Sequence, residues 1–510
     1  MVRRHHVPWL VEHTGSRCDP AIARRASRCA ERCRGDRTKR GSSRLDRSRR
    51  AVESRDDSST RGSGVDQGRD GSRSVDPTRK LTDEGGARSS GDHSAYDRLL
   101  MPRRIRVDTG PLRSHADFRR LFIANLITGL GSGATYIALP YQVADLTGSY
   151  LQVGVIGALE FLPLIVFGLY GGVLADRVDR RRMILVTEVV FAGLLILLLF
   201  NSLADNPAVW AIYVMTVLFV VVGGLQRPSL DAVLPRIVPP DDLASAGAVQ
   251  SMARSISNVA GPAVGGVIIS VGGVSWVYAL DLITFVVSAT LVARMKPIAP
   301  SRDSSEPSID EIREAIAYLR SRRDIVGTYV IDLLAMTLAF PYALFPFVAK
   351  EFDAAWSLGF LYAAPAVGSA LASVTSHWTK RVVHHGRAIV YAAALWGAAV
   401  AVAGLVRSPV WIIGCMLLAG AADMVSGLFR MLIWNLTIPD DVRGRMAGLE
   451  LISYAIGPSV GDLRSTTVAR LTSLPASFVI GGVACSGSCL AAGPALRELW
   501  NFESAVEVTP

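Results

Sequence analysis

The sequence predicts an all-α membrane protein in which twelve transmembrane helices form two pseudo-symmetric bundles of six. Half of its 510 residues are hydrophobic, and the mean hydropathy is positive, at +0.32. The apolar residues are concentrated in runs, each close to the roughly 20 residues that an α-helix needs to cross a bilayer. Short motifs recur in the two halves of the chain at nearly one offset, which indicates a duplicated six-helix unit.

Twelve spans account for the apolar runs. In the first half they cover residues 120–143, 151–175, 183–203, 208–228, 246–271 and 275–295. In the second half they cover residues 326–349, 357–378, 388–406, 410–434, 446–467 and 474–495. The last two runs are the most interrupted, because Arg464, Arg470 and several glycines and serines fall within them.

Positive charge in the connections predicts the orientation. Alternate loops are rich in arginine and lysine, as in 177–182, 294–323 and 380–387, whereas the intervening loops carry few basic residues. Basic residues in short loops stay on the cytoplasmic side of a membrane. Both termini are therefore expected in the cytoplasm, with the chain in the cytoplasmic membrane.

Two motifs show the repeat. A Pro-Asp-Asp motif begins at Pro240 and again at Pro439, 199 residues later. A Gly-Pro-x-Val-Gly motif begins at Gly261 and again at Gly457, 196 residues later. Parallel repeats of six helices are typical of transporters whose binding site lies between the halves, near the middle of the bilayer.

The chain divides into five regions by composition. Residues 1–115 form a basic extension, and 116–296 form the first six-helix bundle. Residues 297–325 are a cytoplasmic linker, 326–500 form the second bundle, and 501–510 are a cytoplasmic tail.

The extension is rich in Arg, Ser, Asp and Gly and lacks apolar periodicity, so it is expected to be disordered. It is either a plain disordered arm, an arm that binds phosphates of nucleic acid or lipid, or a stretch upstream of a natural start at Met101. No structured basic motif supports a specific nucleic-acid partner. Its cysteines and histidines fit no common zinc spacing, so neither a metal site nor a cofactor is expected. These residues are Cys18, Cys29, Cys33, His5, His6 and His13.

A helix is predicted within the linker. Ser308 and Glu311 have the spacing of a capping box, and isoleucine and leucine recur at helical spacing from Ile309 to Leu319. This helix either lies on the inner face of the bilayer or packs on the neighbouring loops.

The turn between the second and third spans carries the most informative motif, GGVLADRVDRRR, at 171–182. It resembles the loop between helices two and three of the major facilitator superfamily, although Asp179 stands where that motif usually has glycine. The resemblance implies a gating role in the transport cycle. The residues concerned are Gly172, Asp176, Arg177, Arg180 and Arg181.

The fifth span contains a second motif, Gly261-Pro262-x-x-Gly265-Gly266. Proline removes a helix hydrogen bond and glycine permits close approach of another helix, so the motif predicts a place of bending and packing. It resembles the antiporter motif of drug exporters of the superfamily. From about residue 115 to 500 the chain is most similar to the branch of enterobactin exporters and macrolide efflux proteins.

Ionisable residues inside spans are costly and usually functional. The candidates for proton coupling or for lining a substrate cavity are Glu160, Asp423, Asp332 and Asp281. Arg430 and Glu450 are predicted to form an ion pair near the inner ends of the tenth and eleventh spans. The alternative for each of these residues is a structural ion pair or cap.

The sequence therefore predicts a secondary transporter that exports a small amphiphilic molecule, such as a drug or a siderophore-like compound, in exchange for protons. The expected partners are lipid, protons and the transported molecule, and the expected state is a monomer. No phosphate-binding loop is present, so the chain is not expected to be an enzyme that hydrolyses ATP. The alternatives are an importer of the same fold and a membrane sensor or scaffold that does not transport.

Overall fold

The computed structural model describes residues 108–298 and 309–503, and these residues are helical almost throughout. The extension up to residue 107, with its cysteines and histidines, and the capping residue Ser308 lie outside the described part. Twelve long helices follow one another in these ranges. They are α1 (Ala116–Thr147), α2 (Tyr150–Arg177), α3 (Arg180–Leu203), α4 (Val209–Ile237), α5 (Leu243–Gly272), α6 (Val274–Ala293), α7 (Arg323–Ala339), α8 (Ser357–Val374), α9 (His385–Leu405), α10 (Pro409–Thr437), α11 (Asp440–Leu471) and α12 (Leu474–Ala495).

Each predicted span corresponds to one of these helices, so the predicted fold class is confirmed. Within the described residues, eleven helical segments are long and apolar enough to cross a membrane. The exception is α11, which has the length but carries charged residues along its course, including Asp462 and Arg464. Another difference is that α4 continues to Ile237, nine residues beyond the predicted end. Arg227 therefore lies inside a helix and not at its end.

The two halves pair their helices in the same way. In the first half α1 packs on α5 and α6, α2 packs on α4, and α3 packs on α4 and α6. In the second half α7 packs on α11 and α12, α8 packs on α10, and α9 packs on α10 and α12. Adding six to each helix number of the first set gives the second set. The duplication predicted from the motif offsets is therefore visible in the packing.

The seventh predicted span is not one continuous helix. The helix α7 ends at Ala339 and the chain turns through Tyr342–Leu344 before a short helix, Phe345–Glu351. Pro341 explains the break, because proline lacks an N–H and disfavours helical geometry in the residue before it. The break frees the backbone N–H of Ala343 from the helical pattern.

The halves meet through α2 with α11 and through α5 with α8. Further contacts lie at the end of the bundle where α1 finishes. Lys350 Nζ lies 2.8 Å from Asp145 Oδ1 and donates to the carbonyl oxygen of Ala144 at 3.1 Å. The positive charge thus lies at the C-terminal end of α1, where the helix dipole favours a cation. Tyr150 and Phe347 add an aromatic contact nearby, with ring centroids 4.3 Å apart.

The linker contains a helix, Ile309–Ser321, as its periodicity predicts. At its C-terminal end Tyr318 donates a hydrogen bond from its hydroxyl to the Thr437 carbonyl at 2.9 Å. Tyr318 and Leu319 pack against an apolar cluster of Ile325, Ile438 and Met446. This end of the helix therefore rests on the ends of α10 and α11. Its position relative to the bilayer stays a prediction.

Candidate functional site

A small cavity of about 30 Å³ lies between the two halves and contains two carboxylates. Glu160 comes from α2 of the first half, and Asp462 comes from α11 of the second. The rest of the lining is aromatic or apolar, apart from backbone groups. It includes Tyr136, Leu139, Pro140, Val153, Ile156, Gly157, Tyr342, Ala343 and Tyr362. No basic side chain is among these described lining residues.

The broken seventh span builds one wall of this cavity. The backbone N–H of Ala343 donates to Asp462 Oδ1 at 2.9 Å. The Tyr362 hydroxyl donates to the carbonyl oxygen of Tyr342 at 2.8 Å. The ring of Tyr136, from the first half, meets Tyr362 edge-on with centroids 5.9 Å apart. Discontinuous helices at the interface of repeats commonly form the binding sites of transporters.

Asp462 is a functional candidate that the motif analysis missed. A signal was present, since Asp462 follows Gly461 as Gly266 follows Gly265 in the first repeat. Both positions lie where the halves touch. A Cβ built on Gly266 would come within 2.4 Å of the backbone N of Gly359 in α8, and one on Gly157 would come within 3.3 Å of Asp462 Cβ. The second repeat thus has a carboxylate where the first has a glycine.

A second charged cluster lies inside the second half. Arg430 of α10 forms an ion pair with Asp332 of α7, whose exposed fraction is only 5%. Its other guanidinium nitrogen lies 3.9 Å from Asp423 Oδ1. Glu450 lines the same small cavity as Asp332 and Arg430. The inner pair of Arg430 with Glu450 stays a prediction, while the structure gives Arg430 two carboxylate partners that the sequence analysis did not assign to it.

The two clusters come close to each other at Tyr342, which lies within electrostatic range of both Asp423 and Asp462. Of the four predicted carboxylates, Glu160, Asp332 and Asp423 therefore belong to neighbouring polar clusters. Asp281 does not. It is fully buried and accepts hydrogen bonds from Thr135 at 2.6 Å and Thr284 at 3.0 Å. These bonds are typical of a carboxylate with a structural role within the first half.

The motif turn between α2 and α3 is held by its own side chains. Asp179 caps α3, because its side chain accepts from the backbone N–H of Arg182 at 3.0 Å, as acidic N-cap residues commonly do. This gives a structural reason for Asp179 where the superfamily motif usually has glycine. Arg180 is buried and donates to the Ala232 carbonyl of α4 at 3.1 Å.

Arg181 of the motif binds the C-terminal end of another helix. Arg181 Nε donates to the Val292 carbonyl at 3.1 Å, and its Nη2 donates to Ala293. It therefore satisfies carbonyls at the C-terminus of α6, a favoured position for a cation. Arg177 is exposed, and a side chain at Gly172 would meet nothing within 4 Å. The side chain of Asp176 lies outside the described part, so its gating role stays a prediction.

The glycines of the fifth-span motif lie at helix contacts. A Cβ on Gly261 would come within 3.0 Å of Gly133 Cα, and one on Gly265 within 2.7 Å of Ala134 Cα, both in α1. Gly266 faces α8 of the other half. Small residues at such contacts let helices approach closely in a membrane. The bend that Pro262 is predicted to cause stays a prediction.

We expect Gly266→Ala to separate the halves at this contact, because the backbone of Gly359 cannot move aside as a flexible side chain would. The measurement is a spin-label distance between Ser149→Cys and Asp353→Cys in a chain without the native cysteines. The distance should increase in Gly266→Ala. The matched control is Gly247→Ala on the same helix, where a Cβ meets nothing within 4 Å. Equal distances in both variants would contradict the assigned contact.

The fold is that of known transporters. A crystal structure of a POT family transporter in complex with 5-aminolevulinic acid matches with a TM-score of 0.61 at 10% identity, covering 76% of this chain and 97% of that one. A bacterial homologue of the iron transporter ferroportin, in its inward-facing state, matches with a TM-score of 0.58 at 14% identity, covering 76% and 99%. At these identities the likeness shows the fold alone.

Sequence comparison extends this result. The enterobactin exporter of Salmonella typhimurium strain LT2 is 28% identical over 358 residues, which cover 69% of this chain and 85% of the relative. The enterobactin exporter of Citrobacter koseri is 28% identical over 357 residues, covering 69% and 84%. A family profile described as transmembrane secretion effector matches residues 108–503. The chain therefore belongs to the transmembrane secretion effectors, a family of multi-pass secondary transporters in the major facilitator superfamily.

Proposed function

We propose that this transporter exports a small amphiphilic molecule in exchange for protons, as its two halves rock about the site between them. The observation that supports this most is the pair of carboxylates, Glu160 and Asp462, that face one small cavity from opposite halves. A proton held between the halves is a direct way to couple their movement to a pH gradient.

The electrostatics favour such a proton. A carboxylate in an apolar site is expensive when it is charged and unpaired, and two like charges sharing a site rarely both ionise. The Glu160 carboxylate has no ion-pair or hydrogen-bond partner among the described residues, and Asp462 has one backbone donor. Protonation of at least one of the two carboxylates is therefore favoured while the halves are together. Separation of the halves would admit water and favour release.

The cargo is proposed from the relatives. Enterobactin is the first candidate, because the relatives with which this chain aligns over most of its length are named for its export. The protein would act without a chemical reaction on its cargo, as a monomer, and without a nucleic-acid partner. It would lie in the cytoplasmic membrane with both termini in the cytoplasm, as its basic loops indicate. Asp176 and the neighbouring arginines would latch the inner gate, and residues 1–100 would not be needed for transport.

A reconstituted system tests the proposal. Vesicles containing the protein are prepared with an interior about one pH unit more acidic than the medium, with valinomycin and equal potassium holding the potential at zero. An antiporter that exchanges one proton per molecule should then accumulate radiolabelled enterobactin about tenfold. A protonophore should abolish the accumulation.

The direction of the pH gradient separates the alternatives. Accumulation only when the medium is the more acidic side would indicate a proton-driven importer. Absence of accumulation with either gradient, while enterobactin still exchanges across the membrane, would contradict proton coupling.

A further inference from the structure

A cavity of about 340 Å³ lies within the first half, apart from the acidic cavity between the halves. Its walls come mainly from α1, α4 and α5, and its volume falls in the range of small-molecule sites, about 300–1,000 Å³. The lining combines amides, hydroxyls, three charged groups and a few apolar side chains. It consists of Asn125, Thr128, Gly129, Ser132, Phe191, Gln226, Arg227, Leu230, Asp231, Gln250, Ala253, Arg254, Ser257, Asn258 and Phe285.

Three amide side chains on this wall lack partners. Asn125, Gln250 and Asn258 have no side-chain hydrogen bond to any residue that the structure describes. Gln250 is the most buried of the three, with only 7% of it exposed, and its side-chain oxygen has no hydrogen-bond partner among the described residues. Buried polar groups in native proteins are nearly always satisfied by protein, water or ligand. The rule applies to Gln250, while Asn125 is half-buried and Asn258 is exposed. All three amides line the cavity and can hydrogen-bond to a polar ligand there.

The charges on the wall favour an anion. Asp231 Oδ1 lies 3.6 Å from Arg254 Nη2, so these two groups largely neutralise each other. Arg227 has no acidic partner among the described residues, which leaves one positive charge facing the cavity. A guanidinium donates two parallel hydrogen bonds to a carboxylate or a similar planar acid. Arg227 is thus a ready receptor for an acidic group.

Two aromatic side chains also line the cavity. Phe191 and Phe285 line the cavity, and their ring centroids are 4.9 Å apart. Phe219 stacks behind Phe191 at 5.5 Å, which holds this surface in place. Only 7% of Phe191 and 4% of Phe285 is exposed, so they offer a small apolar surface against which the edge of a ligand ring can pack. The lining of the cavity therefore combines polar and cationic groups with two aromatic side chains.

From these observations we propose that the first half contains a subsite for an aromatic anion, with Arg227 binding the acidic group. The amides of Asn125, Gln250 and Asn258 then bind oxygen atoms of the same ligand, and its ring packs on Phe191 and Phe285. This inference depends on the proposed export function in one respect, which is that the ligand is taken to be part of the exported molecule. Binding itself requires no proton gradient.

Two probes of the same shape test the charge preference. The fluorescent anion 2-naphthoate and its neutral analogue 2-naphthamide are titrated into the purified full-length protein in detergent. Wild-type protein should bind 2-naphthoate about tenfold more tightly, since a hydrogen bond to a charged group is worth at least that factor. Arg227→Gln should remove this preference while leaving the affinity for 2-naphthamide unchanged, and Arg227→Lys should keep part of it.

The matched control is Arg294→Gln, which removes an exposed arginine that does not line the cavity and should preserve the preference. Retained binding of 2-naphthamide shows that each variant is folded. Equal affinity of wild-type protein for the two probes, or an unchanged preference in Arg227→Gln, would overturn the subsite, as would a lack of saturable binding. A protein that prefers 2-naphthoate but fails to pump enterobactin would keep the subsite and contradict the proposed proton-driven export of enterobactin.

Discussion

Arg430→Met is expected to lower the free energy of unfolding by about 3–5 kcal/mol, the usual cost of removing one partner from a buried ion pair. The substitution keeps most of the side-chain volume and removes the charge. It leaves Asp332, only 5% exposed, without its guanidinium partner. It also leaves Asp423 without the positive charge of Arg430, whose Nη2 lies 3.9 Å from Asp423 Oδ1. The loss should appear as a lower midpoint of denaturant unfolding in detergent.

A double variant separates this effect from lost packing. Arg430→Met combined with Asp332→Asn has no unpaired charge at the pair, so it should recover much of the stability. The matched control is Arg323→Met in the same half, which breaks an exposed pair with Glu498 at 3.8 Å. An exposed pair is worth about 0–1 kcal/mol, so this change should be small. A double variant no more stable than Arg430→Met would show that the pair is not the source of the loss.

The sequence predicts the twelve helices well because the bilayer requires long apolar runs. It predicts their ends less well. The fourth run ends near Arg227 and Pro228, but the helix continues to Ile237. Hydropathy reports which residues face apolar surroundings, whereas a helix continues as long as its backbone hydrogen bonds do. The misplaced end hid the fact that Arg227 faces a cavity.

The partners of the charged residues are less predictable. Asp332 and Arg430 lie almost a hundred residues apart in the chain, and only the packing of α7 near α10 brings them together. The break after Ala339 supplies a backbone donor to Asp462 that a continuous helix would have kept for itself. Pro341 was the available sign of that break. Comparison of the two repeats likewise indicates Asp462, because it occupies the position of Gly266 in the first repeat.

Glu160→Gln and Asp462→Asn are each expected to abolish accumulation driven by a pH gradient while leaving exchange intact. Each substitution keeps the shape of the side chain and removes its exchangeable proton, so the movement of the halves is no longer linked to proton uptake. The wild-type protein should accumulate enterobactin about tenfold at a gradient of one pH unit. In each variant the concentrations inside and outside the vesicles should become equal. A carboxylate with a structural role would behave differently, because its loss would lower stability and both activities together.

Asp281→Asn provides that contrast within the same chain. Asp281 is fully buried and accepts from two threonines, outside the cavity that holds Glu160 and Asp462. We expect this variant to be less stable and to lose exchange and accumulation in the same proportion. The ratio of accumulation to exchange should then stay at the wild-type value.

The most direct test of proton coupling at the site between the halves is the ratio of accumulation to exchange. It is measured for enterobactin in one set of vesicles under an imposed pH gradient. Proton coupling at this site predicts that Glu160→Gln and Asp462→Asn exchange enterobactin at rates near wild type but hold no gradient of it. If both variants accumulate enterobactin as the wild-type protein does, with the same dependence on pH, the coupling proton is not carried by these two carboxylates.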